Sequence, residues 1–140
     1  MRVILTGAGA AGGFIVYALG GCDVVLRALL LFMAIDYSTG FVVAGVFKKS
    51  KKCGSGALSS SAGFKGLIKK GMQLLIVLVG HQIDIVLGTD FVRSAVIIAF
   101  IANELVSIME NAGLMGIPWP PMLKKALDIL HEKGDIENDG

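Results

Sequence analysis

Apolar positions come in four long runs along this chain, each closed by short polar punctuation. The runs cover about 3–19, 24–47, 67–87 and 91–109. Gly20-Gly21-Cys22-Asp23 and Gly88-Thr89-Asp90 separate the first from the second and the third from the fourth, and each can close a tight helical hairpin. Residues 3 to 22 contain no charged side chain, which matches the about 20 apolar residues needed to cross a bilayer core. Beyond Met115 the pattern changes. "GIPWPPMLKKALDILHEK" opens with Pro118, Pro120 and Pro121, which end a helix, and with Trp119, a residue suited to the headgroup level. Met122, Leu123, Ala126, Leu127 and Leu130 then recur at helical spacing, with Lys124, Lys125, Asp128 and His131 between them. That spacing predicts a short amphipathic helix, lying in the interface or docked on the central loop, followed by a solvated tail. The pattern as a whole predicts an all-α integral membrane protein of three to four transmembrane helices arranged as two hairpins. The transmembrane region is expected over 1–112 and the Pro-rich break, amphipathic helix and tail over 113–140. A three-span version would lay the first or the fourth run in the interface, the fourth being the weaker candidate.

Composition supports lipid as part of the solvent. Apolar residues make up 54% of the 140 residues and charged residues 17%, where about 25% charged is usual for a soluble domain. Mean hydropathy is +0.74. The first run is too long and Gly-rich for a signal-peptide core, and it is expected to be retained.

The net charge of +2 is unevenly placed. From residue 48 to residue 70, Lys48, Lys49, Lys51, Lys52, Lys65, Lys69 and Lys70 occur without an acidic residue among them. Cytoplasmic loops are enriched in Lys and Arg, so this basic loop, 48–66 with the lysines that follow it, is expected inside. Four spans then place both termini on the cytoplasmic side. The loop's centre, residues 54 to 63, is a flexible linker by composition. Cys22 and Cys53 fit neither a metal spacing nor a disulfide framework, and this topology puts them on opposite sides of the membrane.

Gly7-Ala8-Gly9-Ala10-Ala11-Gly12 is a literal G-x-G-x-x-G after a β-branched run. As a dinucleotide loop it would need strand–helix repeats after it, and none follow residue 23. No cofactor, metal ion or nucleic acid is implied. The same residues read better as a small-residue belt, with Gly9 and Gly13 four apart and Gly12 beside them, where helices in lipid approach closely.

Polar residues inside the runs are the candidate functional positions. Asp36 lies near the middle of the second run, where a charge costs about 2.5–3.5 kcal/mol on insertion scales. It is either a pore or assembly position or a helix-packing hydrogen bond. Asp84 and Arg93 flank the second hairpin turn at similar depth and are a candidate ion pair; Asp23 and Arg27 could pair likewise. In the fourth run, Asn103, Glu104, Ser107, Glu110 and Asn111 fall within one arc of about 120° on a helix. Such a stripe should line water, face a partner helix or hold the helix at the interface. There is no nucleophile–base set or phosphate loop, so an enzyme is not expected.

These residues also carry a resemblance. "ALLLFMAIDYSTGFVVAGVFKK", "GFKGLIKKGMQLLIVLVGHQID" and "RSAVIIAFIANELVSIMENAGLMGIPWPPMLKKALDIL" resemble, in order, the toxin-secretion/phage-lysis holin family over about Gly20 to Leu130. The chain departs from that pattern in a longer Ser/Gly-rich connection and a dense Gly/Ala belt. The resemblance implies a small protein of the bacterial host's cytoplasmic membrane that forms homo-oligomeric lesions in the lipid bilayer. Such lesions release or activate a cell-wall-degrading endolysin, without necessary direct contact with it, or support toxin export. Two other classes remain open on the residues alone: a selective small ion channel, and an anti-holin or membrane scaffold that does not permeabilise.

Overall fold

The computed structural model describes residues 1–51 and 54–139, so Lys52 and Cys53 of the basic loop lie outside the described residues. The described residues form five helices: α1 (Arg2–Ala18), α2 (Val24–Val42), α3 (Ser60–Leu87), α4 (Val92–Leu114) and α5 (Pro121–Asp139), with no strand among them. A π-helical turn, Val43–Phe47, prolongs α2. The glycine motif therefore lies inside a continuous helix rather than in a strand-to-helix loop.

Local chemistry sets the ends of these helices. Asp23 caps α2 by accepting from the Leu26 N–H at 3.0 Å, and Ser59 caps α3 by accepting from the Ala62 N–H at 3.4 Å. Gly88 closes α3 in the left-handed region at φ 67°. The N-terminus of α4 is capped from another helix. Asp84 of α3 accepts the N–H groups of Val92 and Arg93 at 3.0 and 2.9 Å, and the Thr89 hydroxyl at 2.6 Å. Pro121 occupies the first position of α5, where its missing N–H costs nothing.

Helix α4 is the hub, packing against α2, α3 and α5. The main core is Leu26, Leu29 and Met33 of α2 against Val77 of α3 and Ile97 and Ile101 of α4, closed by Leu19. A smaller core joins Ala102 and Leu105 of α4 to Leu127 of α5. Helices α3 and α4 cross closely at Gly80, where an added Cβ would lie 3.3 Å from the Arg93 Cα.

Among the described residues, three helices are long and apolar enough to cross a membrane: Val24–Phe47, Ser60–Leu87 and Val92–Leu114. Much of their apolar surface faces outward, as at Leu31, Phe41, Leu75, Val79 and Val86. Lipid is the solvent that tolerates such faces.

The arrangement differs from the expected two hairpins at both ends. Helix α1 has 17 residues and buries none of them. It is shorter than the three candidate spans, and the fourth run, expected to be the weaker, forms the most buried of them. Helix α5 is not docked on the central loop. It lies on α4, and it continues through the stretch expected to be a solvated tail. The linker is also shorter than its composition suggests, because α3 already begins at Ser60.

Candidate functional site: a buried ion cluster beneath a polar cavity

The expected intramembrane acids meet a partner that the charge pattern had placed in the loop. Lys70 lies eleven residues into α3, counted from Ser60. Its ammonium donates to Asp36 Oδ2 of α2 at 2.8 Å and to Glu104 Oε2 of α4 at 2.6 Å. One cation thus ties three spans together, and both carboxylates are buried. Asn111 completes the arrangement, donating to Asp36 Oδ1 at 3.2 Å and to the Thr39 hydroxyl at 2.9 Å. Lysines 65, 69 and 70 are therefore helical, and Lys70 is a bundle residue rather than a member of the basic loop. Lys48, Lys49 and Lys51 remain in the connection.

The polar arc of α4 is split by this packing. Glu104 and Asn111 turn into the bundle, Ser107 is half-buried, and Asn103 and Glu110 are exposed. All but Asn111 line a cavity of about 390 Å³ that is open toward the Lys-rich connection, whose Ser50 and Leu58 form part of its rim. Asp36, Lys70 and Gln73 complete its polar wall, and Tyr37 and Phe41 supply apolar surface. Tyr37 spans the α2–α3 gap and donates to the Gly63 carbonyl at 3.4 Å. On the side of the ion cluster away from the connection, the bundle closes on the apolar core.

At the opposite end, the expected Asp84–Arg93 ion pair gives way to a different one. Asp84 takes the backbone N–H of Arg93, and the guanidinium turns to the α1–α2 connection. There it pairs with Asp23 Oδ2 at 2.7 Å and donates to the carbonyls of Leu19 and Gly21. Asp23 is thus held by Arg93 of α4. Spacing along one helix suggested Arg27, but the buried Arg93 offers five donors to a crowded turn. The turn needs glycine: Gly20 has φ +90°, and a Cβ there would meet the Arg93 and His81 side chains at 2.8 Å. The hydrogen-bonded guanidinium holds the Asp23 carboxyl below its ordinary value of 3.8, against the upward push of desolvation.

The small-residue belt has no counterpart here. A Cβ added at Gly9, Gly12 or Gly13 would meet nothing within 4 Å. Among the described residues, no group of three or more His, Cys, Asp or Glu side chains could hold a metal ion.

Comparison with known proteins gives this arrangement a context. The family model described as the bacteriophage holin family matches residues 13–132. An uncharacterised protein of Listeria innocua, Lin0175, is 37% identical over 140 residues, covering 99% of this chain and 92% of its own. Another from Listeria monocytogenes, Lmo0128, is 39% identical over 129 residues, 91% of this chain and 86% of its own. A protein of Bacillus phage phi105 named "Probable holin" is 29% identical over 115 residues, 81% of this chain and 79% of its own. No solved structure matches.

Proposed function

The chain belongs to the bacteriophage holin family, and on that premise we propose that it accumulates in the bacterial cytoplasmic membrane as a closed helical bundle and then oligomerises into lesions. Through these an endolysin reaches the cell wall without necessarily touching the lesion-forming chain. The observation that carries the reading is the Asp36–Lys70–Glu104 cluster, in which one ammonium from α3 serves the buried carboxylates of both α2 and α4 within one chain. An unpaired charge at that depth would resist insertion. Paired, it lets single chains build up harmlessly.

The lesion is the state in which those groups exchange their partners for water. Asn103 and Glu110 already face outward from α4, beside the cavity mouth. Against lipid such a strip is costly, so neighbouring copies would turn it toward one another and then toward a lumen. The exposed belt of α1, at Gly9, Gly12 and Gly13, is the surface for close contact with another copy. The Lys-rich connection orients the assembly with that connection, and with it both termini, on the cytoplasmic side.

Controlled expression in bacteria tests this, with and without a cytoplasmic endolysin that lacks its own export signal. The account predicts abrupt depolarisation in both cultures and lysis only in the one with the enzyme. Depolarisation without enzyme release would make the chain a small channel. Stable insertion without depolarisation would make it an anti-holin or scaffold. Either result would overturn the proposal.

A further inference from the structure

We propose, resting on the lesion reading above, that α5 is a membrane-embedded element of the lesion and that its charged face is the wetted wall which copies of this chain enclose between them. Three features of the α4–α5 pair lead there.

The first is depth. Leu127 is buried against Ala102 and Leu105, which lie at the middle of the Val92–Leu114 span. One turn further along α5, Leu130 also packs on the main core, whose α4 members are Ile97 and Ile101. Moving forward along α5 is thus moving backward along α4. The two helices form an antiparallel hairpin, closed by residues 115–120. Gly116 at φ +77°, with Pro118 and Pro120 after it, turns the chain back. The 19 residues of α5 extend about 28 Å at about 1.5 Å per residue, close to the roughly 30 Å of a bilayer core. Docked in this way, α5 runs through the same depth of membrane as the span it packs on.

The second is what α5 turns outward. Lys124, Lys125, Asp128, His131, Glu132 and Asp135 are all exposed, and they fall within one arc of about 120°. Leu127, Leu130 and the buried Gly134 occupy the docked side. A face of this kind at bilayer depth is too costly against lipid and must meet protein or water. No other part of the described chain covers it.

The third is continuity. In an antiparallel pair, positions displaced in the same rotational sense from the contact line lie on the same flank. Asn103 and Glu110 lie roughly 120° round α4 from its contact positions Ala102, Leu105 and Met109. The charged arc is centred roughly 130° round α5 from Leu127 and Leu130, in the same sense. The exposed Asn103 and Glu110 therefore continue the polar face of α5 along one flank of the hairpin. Met122, Ala126 and Ile129 make the other flank apolar. One flank suits lipid and the other suits water. A single chain leaves the wet flank open, so the far wall comes from further copies.

The test uses the full chain in dye-loaded lipid vesicles, in a C22S, C53S background. The first readout is cross-linking of the pair A102C and L127C, with L105C and L127C as a second pair, by mild oxidation or a short bifunctional thiol reagent. Both pairs should cross-link in vesicles that release dye, and release should persist after cross-linking. The second readout is a spin label at D128C, E132C or I129C, one position at a time. Labels at 128 and 132 should collide with a water-soluble nickel chelate, and the label at 129 with oxygen dissolved in lipid.

Dye release without cross-linking in either pair would place α5 away from the span. That overturns this inference and leaves the lesion reading standing. Loss of release on cross-linking would show that α5 must leave α4 before the lesion opens, which also overturns it. So would labels at 128 and 132 shielded from the nickel chelate. Cross-linked chains that never release dye, before or after oxidation, would overturn the lesion reading and this inference with it.

Discussion

At the scale of single residues, the decisive side chain is Lys70. The sequence pattern identified Asp36 and Glu104 as polar groups in apolar spans, and the structure buries both. Lys70 was hidden among neighbouring lysines, whose density in a Gly/Ser-rich stretch reads as a cytoplasmic loop. A signal was nevertheless there. Gly66, Lys70, Gln73, Val77, Gly80 and Asp84 recur at alternating steps of four and three, which is one helical face, and its members from Gln73 to Asp84 are buried. The last glycine of that series sets a tight tolerance. Gly80→Val should push α3 from the Arg93 backbone and destabilise the bundle by about 1–3 kcal/mol, read as a lower thermal midpoint in micelles. The Asp23–Arg93 pair gives a pH dependence. Because the folded carboxyl sits below 3.8, its stabilisation is present above that value and is lost as pH falls through the folded value. Melting curves of wild type and Asp23→Asn should therefore converge in acid and separate at neutral pH, wild type being the more stable.

At the scale of elements, the three long spans were legible because lipid imposes length and apolarity on each helix separately. Which helix packs on which was not, because the contacts are set by pairwise fit. Helix α4 was expected to be the weaker span, yet Glu104 and Asn111 of its polar arc meet Lys70 and Asp36, and so α4 takes the centre. Of the apolar positions expected to share a face of α5, Leu127 is buried on α4 and Leu130 packs beside it, whereas Met122, Leu123 and Ala126 are exposed. Leu127 is the anchor of that contact, buried against Ala102 and Leu105. Leu127→Ala should cost about 2–5 kcal/mol of the docking. The expected outcome is faster proteolytic release of the segment after Pro121 in micelles, with the fragment holding α2 to α4 still resistant.

At the scale of the whole molecule, topology and triggering remain joined. In a Cys53→Ser background, the exposed Cys22 should label from outside intact cells. A cysteine introduced at Arg2 should label only after permeabilisation if α1 spans. Labelling of both from the same side would instead lay the 17-residue α1 in the interface and leave three spans. On the proposed reading, the buried ion cluster holds the chain closed until copies rearrange. Removing Lys70 alone leaves two buried carboxylates without their counter-ion, a change of about 3–5 kcal/mol against the closed state. The most direct test is the time from induction to depolarisation, compared at equal membrane abundance for wild type, Lys70→Met, and the triple variant Lys70→Met, Asp36→Asn and Glu104→Gln. The account predicts early depolarisation for Lys70→Met and a delay restored toward wild type in the triple variant. Wild-type timing in Lys70→Met would contradict it.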